Sequence, residues 1–373
     1  MKMFFDVSSL VEDDLTGIGT YTKQLFLNLK NQNDHSIFPI CSASRWPKRG
    51  KAEKHIHTKV SSSLILPHLP FEFKLLHSPD HRQLTVPAHI HVQTIHDLGV
   101  LEESNFSDQK FQKKFRKRFN EVLTNPKIDQ FIVVSEFSKS RLLHFYPQLN
   151  DRVKVIYSGS NHIHINESRN RIFPWPYLLT TGTLENRKNI LGLLQAFKMI
   201  APKYPELRLL LLGKEGYGSQ TILKAIDGHP FKDRIIWKNY VSESVLSNAY
   251  RFAEMFVFPS FYEGFGFPIL EAMRHRCPVV CSSIPSLTEI GGDAILTFNP
   301  KDSYQMAEVI EQVFVNPSIR FLLKSRCHAN VQKFNWTTTA QQTWDLYMEL
   351  LRERLHEDVS MENWKIKNLG RLF

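Results

Sequence analysis

The chain has 373 residues, 42% hydrophobic and 23% charged, the make-up of a globular protein of about two domains. Forty-seven Lys and Arg against 37 Asp and Glu give a net charge of +10, which excludes an acidic disordered protein and leaves three anionic partners open: nucleic acid, an anionic membrane, or a phosphorylated small molecule. No run approaches the roughly 20 apolar residues of a transmembrane helix, and Asp6 arrives before a signal-peptide core can form, so a cytosolic protein is expected.

Apolar strand-like runs alternate with amphipathic helical patterns along the chain, which predicts α/β architecture with parallel sheets. Residues 2–7 read as a first strand. A turn with Gly17 and Gly19 follows, then a helix with Tyr21, Leu25, Phe26 and Leu29 on one face. Further strands are expected at 90–95, closing on His96-Asp97, at 131–134, followed by Ser135 and a helix, and at 153–157. Residues 162–176 are polar, aperiodic and end in Phe173-Pro174-Trp175-Pro176, which marks a linker and a boundary near residue 170. The alternation then restarts with a strand at 177–181, a helix at 190–200 and a strand at 207–212. Two Rossmann-like lobes facing across a cleft are the expected architecture: residues 1–170, residues 171–355, whose last helices either stay with that lobe or return to the first, and a basic tail at 356–373. Trp344, Tyr347, Met348, Leu351 and Leu355 recur at helical spacing near the end. Cys41, Cys277, Cys281 and Cys327 form no CxxC and read as reduced, buried thiols.

Two loops between strand and helix carry the chemistry. Glu263-Gly264-Phe265-Gly266-Phe267-Pro268-Ile269-Leu270-Glu271 follows a strand-like run at 255–259, with Pro268 suited to the first helical position. Its backbone N–H groups and the helix N-terminus form a candidate anion site, with Glu263 in the loop and Glu271 in the first helical turn; solvated acids on an ordinary turn are the alternative. Gly182-Thr183-Leu184-Glu185-Asn186-Arg187-Lys188 places two permanent cations before a helix, a combination suited to a diphosphate, against two exposed surface cations. Lys214, after Gly213, is a weaker third contact. His96 at a strand end is a polar or acid–base candidate or a structural histidine. Gly17 and Gly19 allow a backbone anion nest without completing a dinucleotide fingerprint. There is no Walker A sequence and no Asp-x-Asp. The His-Ile-His pairs at 55–57, 89–91 and 162–164 lack supporting ligands, so no metal is expected.

Taken in order, these segments resemble the GT4 retaining glycosyltransferases of GT-B fold. The resemblance rests on Thr16-Gly17-Ile18-Gly19, Ile95-His96-Asp97-Leu98, Val134-Ser135-Glu136, Gly182 through Asn189, the E-x7-E motif Glu263 to Glu271, residues 287–294, and Phe334-Asn335-Trp336. It departs at Cys277, at Thr288 and at Ser158-Gly159-Ser160-Asn161. The resemblance implies a metal-independent hexosyltransferase without a cofactor, whose second lobe binds a nucleotide diphosphate sugar. Arg187 and Lys188 would neutralise the departing diphosphate, Glu263 would meet the donor sugar, and Glu271 would meet the ribose. Phe265, Gly266 and Phe267 would offer backbone donors, with Gly17, Gly19, Gly182 and Lys214 also at the donor. His96 would lie near the transferred sugar, and the first lobe would take a glycan or lipid-linked acceptor. The Gly-Ile-Gly, Ile-His-Asp-Leu and Phe-Gly-Phe-Pro versions resemble mannosyltransferase-like enzymes of bacterial surface polysaccharide synthesis, which makes GDP-mannose the first donor to consider. Another UDP-sugar transferase and a non-enzymatic bilobed sugar-binding protein are the alternatives.

Lys110, Lys113, Lys114, Arg116, Lys117 and Arg118 interleave with Phe111, Phe115 and Phe119 as an amphipathic basic helix. Residues 110–118 are either a solvated cationic face or a contact with anionic lipid, joined there by Trp364, Lys365, Lys367, Arg371 and Phe373. The second reading makes the protein peripheral on the cytoplasmic face of the inner membrane. Nucleic acid is not an expected partner, since no recognisable module accompanies the charge.

Overall fold

The computed structural model describes residues 2–32, 36–63, 74–84, 86–102, 109–161, 165 and 170–369, without the side chains of 111 and 357–369. Its strands are β1 (Met3–Asp6), β2 (Ile37–Cys41), β3 (Ser61–Ser62), β4 (Leu75–Ser78), β5 (Ile90–Ile95), β6 (Gln130–Val133), β7 (Val153–Val155), β8 (Tyr177–Thr181), β9 (Arg208–Leu212), β10 (Ile235–Lys238), β11 (Met255–Phe258), β12 (Val279–Ser282) and β13 (Ile295–Phe298). They form two sheets, ordered β3-β2-β1-β4-β5-β6-β7 and β10-β9-β8-β11-β12-β13. Every neighbouring pair is parallel.

Parallel strands covered on both faces must be apolar on both, and the central strands are: all five residues of β8 and all four of β11 are buried. This is why β5, β8 and the helix Ile190–Ile200 fall where the sequence places them. The expected strand at 2–7 is Met3–Asp6, that at 131–134 is Gln130–Val133, and that at 153–157 stops at Val155. The sequence reading left β2, β3, β4, β10, β12 and β13 unassigned. β2 contains Pro39 and β3 is two residues long, so neither shows a run that stands out.

Strand order reverses between β1 and β4 in the first sheet and between β8 and β11 in the second. The carboxyl ends of strands at such reversals are where open α/β sheets leave a crevice for ligands. The last helix, Trp336–Leu369, leaves the second lobe and packs on the helix Gly17–Gln32 of the first. Tyr347 Oη bonds the buried His77 at 2.5 Å, and Lys154 pairs with Glu349 at 2.8 Å. Its start fits against Gly159, where a Cβ would lie 2.2 Å from Trp336 N. All four cysteines are free and buried. Among the described residues no helix is long and apolar enough to cross a membrane. His162 and His164 lie outside the described residues, as do the side chains of Trp364, Lys365, Lys367, Arg371 and Phe373.

Candidate active site at the strand-order reversal of the second lobe

The loops after β8 and β11 meet at this reversal. Gly182 leaves β8 at φ +117°, and a single 3-10 turn, Asn186–Lys188, presents both cations. Lys188 is buried and donates to Glu263 Oε1 at 2.7 Å. Arg187 donates to Glu263 Oε2 at 2.9 Å, to Tyr262 O at 2.9 Å and to Glu185 Oε1 at 2.8 Å. Two cations and two carboxylates thus balance in a largely dehydrated place. Burial works against ionised Glu263, but Arg187 and Lys188 outweigh it and hold the carboxyl down at about 2. Burial pulls the Lys188 pKa down against the attraction of Glu263. Arg187 is also penalised by burial, yet Glu263 and Glu185 raise it above its ordinary value. The pairing of Glu263 with Arg187 and Lys188 spans 76 and 75 positions, and no spacing signal in the sequence reveals it.

Gly264 brings the second lobe against the first. A Cβ there would lie 2.1 Å from the His96 carbonyl oxygen, so only glycine permits the contact. Ser135 Oγ donates to Gly264 O across the lobes at 2.6 Å. Gly266, at φ +100°, caps the helix Phe267–Arg274. Among the described residues, the N–H groups of Phe265, Gly266 and Phe267 donate to no partner, and a helix N-terminus lies behind them. Pro268 is the second residue of this helix rather than the first, and Glu271 falls in its second turn, not the first as the sequence suggested. Glu271 accepts from Tyr250 Oη at 2.8 Å, and burial raises its pKa. Tyr250, which also meets Thr181 Oγ1 at 2.7 Å, was not singled out by sequence; nothing but its burial identifies it.

Glu271 lines a cavity of about 480 Å³ that runs between the lobes, with Tyr240, Glu243 and Tyr250 on one side and Asp14 and Thr20 on the other. Lys214 does not join Arg187 and Lys188: it pairs with Asp14 of the first lobe and lies 5.5 Å from the Tyr240 ring centroid.

His96 directly follows β5 and lies partly buried with its ring edge-on to Tyr21, 4.6 Å between centroids. Its Nε2 is 2.8 Å from Pro79 O. A carbonyl only accepts, so Nε2 carries the proton and Nδ1 is left as an acceptor. Burial lowers the His96 pKa and keeps the ring neutral. Gly17 and Gly19 lie in the first turn of the helix Gly17–Gln32, neither with positive φ, so they form a helix N-terminus and not the nest expected. A Cβ on Gly17 would touch only Phe267, at 3.9 Å, which places that helix start opposite the second-lobe loop.

Residues 169–333 match the family described as Glycosyl transferases group 1. The O-antigen chain mannosyltransferase B of Escherichia coli is 32% identical over 267 residues, 69% of this chain and 69% of that protein. The chain belongs to the group 1 glycosyltransferases. A serotype-specific mannosyltransferase WbdA of Escherichia coli is 26% identical over 276 residues, and the match spans 34% of its length. Among solved structures, sucrose-phosphate synthase from Thermosynechococcus elongatus superposes with a TM-score of 0.75 at 20% identity, covering 95% of this chain and 100% of that one. The two parallel-stranded lobes are those of a GT-B glycosyltransferase.

Proposed function

We propose that this glycosyltransferase moves mannose, with retention, from a nucleoside diphosphate sugar to a glycan or lipid-linked acceptor in bacterial surface polysaccharide synthesis. The observation that carries the reading is the pair Arg187 and Lys188 held on Glu263, two residues before the open N–H groups of 265–267, with Glu271 of the helix that follows in the wall of the cavity between the lobes. The mannose assignment is supported by the names of the relatives. Fixed cations and N–H dipoles stabilise the leaving diphosphate without reorganising. The bond from the anomeric carbon to the phosphate oxygen breaks as the acceptor oxygen bonds to the same face. The acceptor proton passes to the leaving phosphate oxygen, and a nucleoside diphosphate departs. Glu271 accepts from ribose hydroxyls, Glu263 orients the cations and meets the donor sugar, and His96 offers Nδ1 to the transferred sugar. Contact between the lobes excludes water. In this reading no metal or cofactor takes part, and the basic helix holds the enzyme to the cytoplasmic face of the inner membrane.

The test is thermal stabilisation and product mass spectrometry with GDP-mannose and a panel of UDP-sugars. Stabilisation by GDP-mannose is expected, to be lost in Lys188→Ala and Glu271→Ala with the fold intact. In Lys188→Ala, Glu263 keeps Arg187; in Glu271→Ala, Tyr250 keeps Thr181. Transfer should fall by about 100-fold or more in each. Stabilisation by free sugar with none by any nucleotide would replace the reading with that of a sugar-binding protein.

A further inference from the structure

A second cavity, of about 580 Å³, lies at the strand-order reversal of the first lobe and shares no lining residue with the donor cavity. That volume is in the range of small-molecule sites, roughly 300–1,000 Å³. Asp6 ends β1 and Ser8 follows it, Arg45 comes after β2, and Arg82 comes after β4; Arg118 is contributed by the basic helix Gln109–Leu123. Three guanidiniums from three separate parts of the chain therefore converge on one concavity. Two are anchored. Arg45 Nη1 donates to Ser8 O at 2.8 Å, and Arg82 Nε lies 3.4 Å from the buried Asp80 Oδ2. Each guanidinium has five N–H donors; Arg45 uses one on Ser8 O, and the Arg82–Asp80 ion pair closes no hydrogen bond. Arg118 is exposed and has no partner among the described residues. The wall also holds two acids, Glu121 and Asp6. Asp6 is fully buried, and burial above all raises its carboxyl to about 7, so near neutrality it only partly offsets the arginines.

The cavity is tied to the reaction centre by a few residues of chain. Pro79 accepts from the His96 ring, the next residue, Asp80, meets Arg82, and Arg82 lines the cavity. We propose that this cavity seats a phosphate-type anionic group carried by the acceptor, so that the acceptor is a phosphorylated or diphosphate-linked sugar and not a neutral glycan. Arginine forks suit phosphate bidentately, and Ser8, Gln83 and Asn125 beside them suit sugar hydroxyls. The proposal rests on the glycosyltransferase reading but does not need its donor to be correct.

Calorimetric titration of the full chain tests it, with mannose 1-phosphate, mannosyl decyl phosphate and methyl mannoside as probes. Both phosphates should bind at least tenfold tighter than methyl mannoside. That binding should vanish in Arg82→Gln/Arg118→Gln, survive in Arg82→Lys, and survive in Lys188→Ala, which disables the donor diphosphate site instead. Tighter binding of the decyl phosphate than of mannose 1-phosphate identifies a lipid-linked acceptor; equal binding identifies a soluble sugar phosphate. Equal affinity for methyl mannoside, or phosphate binding lost only in Lys188→Ala, overturns the proposal. Arg118→Gln alone, on an exposed helix face, gives a weakened phosphate affinity that misfolding cannot mimic; an unchanged affinity there together with an unchanged Arg82→Gln also overturns it.

Discussion

Glu263 is one carboxylate shared by the buried Lys188 and the half-buried Arg187, and its removal is asymmetric in cost. Glu263→Gln keeps the shape and strands Arg187 and Lys188 without their common counter-charge. Losing one member of a buried ionic cluster costs about 3–5 kcal/mol, which urea unfolding would read. The pH dependence has a definite sign. The folded carboxyl titrates near 2, below its ordinary 4.5, so its contribution to stability is fully present above 4.5 and is lost as pH falls through 2. Glu263→Gln should flatten the acid limb of the stability profile in that window; an unchanged limb would show that the pair does not hold the proton off. At this scale the sequence was partly legible. The residue types at 187, 188, 263 and 271 announced charge chemistry, because two cations at a helix start gain nothing from the helix dipole and call for another reason. Their partners did not announce themselves. Tyr250 pairs with Glu271 across 21 positions, and Asp80 meets Arg82 in a stretch with no periodicity, so both contacts exist only once the chain is folded.

The helix Gln109–Leu123 is the element on which two readings divided. Phe119 is buried, and Phe115 is half-buried, stacked on Phe119 at 5.9 Å and close to the His81 ring. Arg116 is not part of a free cationic face: its guanidinium donates to Val100 O at 2.7 Å and Leu101 O at 3.2 Å. Lys113, Lys114, Lys117 and Arg118 are exposed. Phe115 and Phe119 therefore go to the lobe core, and the exposed cations are what these described side chains leave for lipid. At about 1 kcal/mol per cation near an anionic surface, that is enough for reversible binding. Sedimentation with phosphatidylglycerol vesicles should show binding that falls steeply between 50 and about 300 mM salt, as screening predicts. Equal binding to neutral vesicles would refute the lipid role. Elements such as β5 and β8 were legible because apolar runs end at turn residues, whereas β3, two residues long, leaves no pattern.

At the scale of the molecule, the lobes are joined by contacts that local sequence does not encode. Glu289 of the second lobe accepts from the N–H groups of Glu136 and Phe137, at 2.7 and 2.9 Å, and so caps a first-lobe helix from outside. Tyr262 Oη accepts from Leu98 N at 3.3 Å, and Lys214 pairs with Asp14. A carboxylate at a helix N-terminus is worth about 1 kcal/mol, enough to shift an open–closed balance several-fold. Glu289→Ala should enlarge the radius of gyration of the ligand-free enzyme in small-angle scattering, with donor restoring the smaller value. An identical scattering curve would mean that Glu289 does not hold the lobes together.

The chain links the lobes twice, once between the end of β7 at Val155 and the start of β8 at Tyr177, and once where the last helix begins against Gly159. A body hung from one strand can swing and spin in any direction, but two neighbouring attachments define a line. Ser160 N bonds Phe334 O at 2.9 Å and Asn161 Oδ1 accepts from Trp336 N at 2.8 Å, so the two passages are stitched together into that line. Any opening of the cleft would be confined to rotation about that line, like a door and not a tether, and closing would bring the carbonyl of His96 back to Gly264.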